Sequence, residues 1–183
     1  HPEYAMEVPY RKPLERRNQL VIDMSNENVI NYLDETLTKL FKELEPSYVK
    51  WDYNRIMSEF YSHSGTRSGE LFYRFMNGTY ELLDRLIKKF PNILFESCAS
   101  GGGRYDLGIA YYMPQTWGSD NSNSYHRCYI SCGTLIGYPQ STLGAHISQD
   151  YSVDNKRSSL DDRFNINSIA IFGYEFDLRK SSK

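Results

Sequence analysis

Apolar residues recur along this chain at two intervals, and the switches between them mark its elements. From Glu27 to Leu44, Val29, Ile30, Leu33, Leu37, Leu40, Phe41 and Leu44 return at three- and four-residue steps, the spacing that collects side chains on one face of a helix. Ser25 stands before this run as an N-cap candidate, and Pro46 lies just past its end. A second amphipathic stretch runs from about Gly69 to Phe90, with Leu71, Phe72, Phe75, Leu82, Leu83, Leu86, Ile87 and Phe90 inward, Gly78 as a weak point and Pro91 as the stop. Shorter runs predict strands: Leu20 to Met24, Ser47 to Arg55, Ile93 to Cys98, Met113 to Asp120, Leu143 to Ile147 and Ile169 to Phe176. Residues 124–136 and 161–167 predict further helices, the stretch after Arg104 a turn or helix, and His1 to Arg17 a polar loop.

Strands alternating with helices predict a parallel sheet covered by helices, with a site at the carboxyl edge where the strands end. By this pattern alone, an open doubly wound sheet and a barrel fit equally. The Ser47 to Arg55 strand carries the clearest chemistry. Side chains alternate across a strand, so Lys50, Asp52 and Asn54 project to one side while Val49, Trp51 and Tyr53 project to the other. Buried charge costs several kcal/mol unless paired. A cation, a carboxylate and an amide in line therefore suit a pocket wall, or else a strand-end ion pair, and Lys50 favours the ionised form of Asp52.

Composition narrows the classes. The chain has 183 residues, enough for one domain with a core, and a net charge of -2 gives no electrostatic case for nucleic acid or an anionic membrane. No apolar run is long enough to span a bilayer. Cys98, Cys128 and Cys132 form an odd set with no Cys-x-x-Cys pair, which argues against a disulfide framework and for a reducing cytoplasm. The chain begins at His1 rather than Met and reads as a piece of a longer protein, whose start could carry a signal peptide.

Other motifs carry less. Gly101-Gly102-Gly103 lacks a following Lys-Ser/Thr and the dinucleotide spacing, so it reads as a tight turn admitting close approach rather than a phosphate cradle. His63, His126 and His146 lack ligand spacing, which argues against a metal site. Asn77-Gly78-Thr79 is formally a glycosylation sequon, expected to be unused. Asp120, between Trp117 and Asn121, reads as a turn aspartate by itself. Set opposite Asp52 across a pocket, it completes the pair of carboxyl groups, one ionised and one protonated, that glycoside hydrolysis uses.

The motifs Lys50-Trp51-Asp52-Tyr53-Asn54-Arg55, Glu96-Ser97-Cys98-Ala99-Ser100-Gly101-Gly102-Gly103-Arg104-Tyr105-Asp106 and Trp117-Gly118-Ser119-Asp120-Asn121 resemble, in order, those of the glycoside hydrolase family 36 α-galactosidases. The resemblance extends to Arg17 to Asp23, Gly144 to Ser148 and Phe172 to Leu178, and so covers nearly the whole chain. The sequence departs from the family pattern at Gly118, where Thr is usual, and at Asn123, where Asp is usual.

The resemblance implies a TIM (β/α)8 barrel, of which residues 1–183 are a C-terminal portion, about strands four to eight. The N-terminal β-domain, the first barrel strands and the C-terminal β-domain are expected to lie outside the chain. Asp52 is implied as nucleophile and Asp120 as general acid/base of a retaining hydrolase acting on terminal α-galactosides of the melibiose and raffinose type. Arg17, Lys50, Trp51, Asn54, Cys98, Gly101 and Trp117 are implied around the sugar, with no cofactor, no metal, and a homo-oligomer as a possible assembly. Alternatives on the same fold are a galactosyltransferase of the raffinose-synthase kind, an α-N-acetylgalactosaminidase and a non-catalytic sugar-binding barrel. A nucleotide-binding sheet is the most distant. A partial barrel leaves edge strands unpaired and its lumen uncovered, so the isolated piece is expected to be inactive and aggregation-prone.

Overall fold

The computed structural model describes residues 1–148, 158–177 and 179; Leu178, at the end of the last motif above, lies outside them. The chain divides into two compact units, residues 1–49 with 54–94 and residues 50–53 with 95–183.

The first unit is built on two helices, α1 (Glu27–Leu44) and α2 (Leu71–Lys89). The α1 bounds match the apolar periodicity residue for residue. Val29, Ile30 and Phe41 of α1 and Leu71, Phe75, Leu82, Leu83 and Leu86 of α2 are buried, each contributing about 1.5–3 kcal/mol relative to exposure; Phe72, expected inward, is exposed instead. The N-cap differs from the sequence expectation. Asn26 fills it, its side chain accepting from the Asn28 N–H at 3.0 Å, because Ser25 donates its hydroxyl to the buried Asp23. Gly78 is a packing requirement rather than a weak point: a Cβ there would fall 1.8 Å from the Met24 carbonyl oxygen. The sequon around it lies inside α2, where the Thr79 hydroxyl donates to the Phe75 carbonyl. The Leu20 to Met24 run forms no strand among the described residues; Ile22 makes one isolated antiparallel bridge with Ala5.

The second unit carries the sheet. Its strands are β1 (Tyr48–Asp52), β2 (Leu94–Cys98), β3 (Gln115–Trp117), β4 (Leu143–Ser148) and β5 (Ile171–Glu175). Between them lie α3 (Leu107–Tyr112), α4 (Ser124–Leu135) and α5 (Leu160–Asn167). The strands run parallel and are hydrogen-bonded in chain order, β1 to β5. Register pairs Glu96 with Gln115, His146 with Gly173 and Ser148 with Glu175. Each pair therefore faces the same side, while Leu143, Ala145 and Ile147 of β4 are buried on the other.

Two observations decide between open sheet and barrel. The strand order never reverses, whereas a doubly wound sheet has a switch point. The Lys50 ammonium of β1 also lies 3.2 Å from the Glu175 carboxylate of β5, although these are the two edge strands. Four flat inter-strand steps would separate them by about 19 Å. The sheet must curl with these side chains on its concave side, as successive strands of a (β/α)8 barrel do.

Candidate active site

Asp52 is the last residue of β1, on the same side as Lys50, with its carboxylate exposed. The Cys98 thiol at the end of β2 donates to that carboxylate and accepts from the Gly101 N–H. Burial pushes the thiol up to about 11, Asp52 adds to the rise, and Gly101 and Lys50 oppose it, so Cys98 stays protonated at neutral pH. Just past Asp52, the Tyr53 N–H donates to the Cys98 carbonyl at 2.7 Å, and the Arg104 guanidinium covers the Tyr53 ring at 3.5 Å. Trp51 is half-buried on the opposite side of β1.

The glycine turn joins the two carboxylates. Gly101 has φ +84, and a Cβ there would lie 2.6 Å from Ser119 Cα and 3.0 Å from the Asp120 nitrogen. The Gly102 N–H donates to the Gly118 carbonyl at 3.1 Å. One short turn thus supplies a donor to the thiol that contacts Asp52 and lays its backbone against the segment bearing Asp120. The close approach expected of these glycines is realised between two loops of the chain itself.

Asp120 lies three residues beyond the end of β3, exposed to solvent. Arg127 of α4, fully buried, secures the loop around it. Its Nε donates to the Asn121 carbonyl at 2.9 Å, Nη2 to the Ser119 carbonyl and Nη1 to the Gly144 carbonyl at 3.4 Å. Its guanidinium stacks 4.0 Å from the Trp117 ring centroid. Burial lowers Arg127 to about 10, with the charges of Asp120, Glu175 and Glu96 pulling it back up, so it remains a cation at neutral pH. Asn123 caps α4, its side chain accepting from the Tyr125 and His126 N–H groups.

A charged cluster surrounds Lys50. Its Nζ lies 3.2 Å from Glu175 Oε1, 3.8 Å from Glu96 Oε1 and 4.8 Å from the Trp117 ring centroid. Glu96 is fully buried and accepts from the Gln115 side chain. His146 Nδ1 lies 3.2 Å from Glu175 Oε2. For the Glu175 carboxyl, burial works upward, but hydrogen bonding and charge from His146 and Lys50 outweigh it and hold the group below the usual carboxylate range.

The structure therefore brings together Asp52, Lys50, Cys98, Gly101, Trp117 and Asp120 within one unit. Trp117 is only 6% exposed, its indole flanked by Lys50, Arg127 and His146. Arg17 and Asn54 belong to the other unit. Arg17 sits at φ 55 in the turn bridged between Arg16 and Gln19, whose Gln19 carbonyl accepts from Arg55; Asn54 is half-buried past the end of β1. Sequence reasoning missed Glu96, His146 and Glu175 as site residues, though the alternation that paired Lys50 with Asp52 places them on the concave side when applied to β2, β4 and β5. Arg127 gave no such signal, since an arginine on a helix ordinarily reads as solvated.

No group of residues suited to holding a metal occurs among the described residues, and none of their helices is long and apolar enough to cross a membrane. An open cavity of about 650 Å³ in the first unit, lined by Glu27, Glu70, Tyr73, Arg74, Asn77 and Glu81 among others, contains none of the predicted site residues.

In sequence and in fold the chain is similar to known proteins. Alpha-galactosidase 1 of Pediococcus pentosaceus is 42% identical over 185 residues, which are 100% of this chain and 25% of that protein. Alpha-galactosidase AgaA of Geobacillus stearothermophilus is 44% identical over 186 residues, covering 98% of this chain and 25% of that one. A crystal structure of an AgaA variant in complex with stachyose superposes with a TM-score of 0.95 at 42% identity, covering 100% of this chain and 26% of its own. The chain thus spans about a quarter of the length of the curated relatives it matches. The family model described as Melibiase matches residues 1–183, and the chain belongs to that family.

Proposed function

We propose that the chain supplies both catalytic carboxylates of a retaining α-galactosidase acting on terminal α-galactosides of melibiose- and raffinose-type oligosaccharides. The observation that carries this reading is the glycine turn, which serves Asp52 through the Cys98 thiol and packs against the loop that bears Asp120, donating from the Gly102 N–H to the Gly118 carbonyl. Two exposed carboxylates held by one structural piece, one at the end of β1 and one past the end of β3, suit a double displacement.

In the first step an oxygen of ionised Asp52 attacks the anomeric carbon, forming an ester on the β face. The bond to the leaving oxygen breaks as protonated Asp120 gives that oxygen its proton. In the second, water attacks the same carbon from the α face and yields its proton to Asp120; the ester bond to Asp52 breaks and α-galactose leaves. Only proton transfer and carboxylate chemistry are required. Lys50, Cys98 and Gly101 are the proposed contacts of the sugar hydroxyls, with Trp117 behind them, and Arg17 and Asn54 are proposed on the resemblance alone; Trp51, on the opposite side of β1, is not kept as a contact. Three free cysteines support a reducing, cytoplasmic setting.

The test uses the protein that carries this chain, with p-nitrophenyl α-galactoside and added azide. Asp52→Gly is expected to lose hydrolysis and to form β-galactosyl azide. Asp120→Ala is expected to form α-galactosyl azide, since azide then opens the ester from the other face. Undiminished hydrolysis by Asp52→Gly would overturn the proposal.

A further inference from the structure

We propose that Glu175, oriented by His146, is a positioning residue that holds the Lys50 ammonium on the concave side of the sheet beside Asp52, and that it acts on galactoside binding through Lys50. The inference rests on the functional reading above. A lysine is a point charge on a flexible four-carbon stem, so its partners decide where that charge sits. Here three elements fix it. Both oxygens of Glu175 lie near Nζ, at 3.2 and 3.5 Å; Glu96 of β2 lies at 3.8 Å; the Trp117 ring of β3 closes another direction at 4.8 Å.

Glu175 is in turn oriented from β4. Its Oε2 lies 3.2 Å from His146 Nδ1, and a carboxylate only accepts, so the proton of that contact sits on Nδ1. The imidazole has a built seat. It packs against Trp117 at a centroid distance of 5.2 Å and crosses β5 at Gly173, where a Cβ would fall 2.9 Å from His146 Cδ2. Register pairs His146 with Gly173, so the one residue able to admit the ring stands opposite it. Glu96 is committed differently, buried and bound to Gln115. Glu175 is half exposed, so its replacement leaves the core intact.

The experiment measures kcat and KM for p-nitrophenyl α-galactoside in the protein that carries this chain. Glu175→Gln keeps the shape but removes the charge. It is expected to raise KM about tenfold to a hundredfold, the range for losing a hydrogen bond to a charged group, with a smaller change in kcat and an unchanged melting temperature. In a Lys50→Met background the same substitution is expected to add nothing further, because the effect passes through the ammonium. His146→Asn, whose side-chain N–H can replace the Nδ1 donor, is expected to retain most of the affinity that His146→Ala loses. Galactose binding by calorimetry gives the same comparison where turnover is slow. Independent, multiplying effects of the Glu175 and Lys50 substitutions, or equal damage from His146→Asn and His146→Ala, would overturn the proposal. Either result is separable from failure of the functional reading, which the Asp52→Gly azide product decides by itself.

Discussion

Asp52 and Asp120 are held in opposite ways. Asp52 ends a strand, and its surroundings are made by side chains: Lys50 two residues before it and the Cys98 thiol donating to it from β2. Asp120 lies beyond its strand on a loop whose position is set through the backbone. The Gly101 turn packs too close to this loop for a Cβ, which would fall 3.0 Å from the Asp120 nitrogen, and Arg127 takes the carbonyls of the residues on either side, Ser119 and Asn121. In the proposed mechanism the nucleophile must sit on a fixed line of attack, which a strand end provides, and the acid/base must face a leaving group outside the sheet, which a clamped loop reaches. The difference teaches that the two carboxylates fail by different routes: Asp52 through its side-chain neighbours, Asp120 through loop geometry.

The largest effect that would sharpen this contrast comes from the carboxylates themselves. Asp52→Asn is expected to lower kcat for every α-galactoside by about 10⁴-fold or more, as removal of a nucleophile does. Asp120→Asn is expected to cost about 10²–10⁴-fold on natural galactosides, the range of general acid catalysis, and much less on an activated aryl galactoside whose leaving group needs no proton. Equal losses on both substrate types would erase the distinction.

Next is the clamp. Arg127→Leu strands three carbonyl acceptors and should destabilise the protein by about 3 kcal/mol or more, read as a fall in melting temperature, with loss of the Asp120-dependent step. Gly101→Ala forces φ +84 on a residue with a Cβ and drives that atom into Ser119. It is expected to cost about 1–3 kcal/mol and to damage the acid-dependent substrates more than the activated ones. The smallest effect concerns the thiol. With Cys98 raised to about 11, its thiolate is scarce at neutral pH, so mass-mapped alkylation is expected to label the exposed Cys128 and Cys132 first. The Cys98 rate should climb tenfold per pH unit until near 11. Preferential labelling of Cys98 at neutral pH would contradict the arrangement drawn around Asp52.

Much of this could be read from the sequence because it obeys period. The spacing of Val29 to Leu44 placed α1, and the alternation through Lys50 and Asp52 placed β1 and the side on which its chemistry falls. What could not be read depends on partners distant in the chain. Gly78 looks like a flaw until the Met24 carbonyl is found against it. Ser25 looks like a cap until Asp23 takes its hydroxyl. The choice between open sheet and barrel needed the meeting of Lys50 with Glu175, 125 residues apart. Arg127 was invisible because its partners are carbonyls, which every residue has; only the fold selects which three point at it.

The most direct test is covalent trapping. Incubating the protein that carries this chain with an activated fluorinated α-galactoside, whose glycosyl-enzyme ester hydrolyses slowly, should leave one sugar per active site. Peptide mass spectrometry is then expected to find it on Asp52. A sugar ester on any other residue, or full turnover with inversion at the anomeric carbon, would contradict the account.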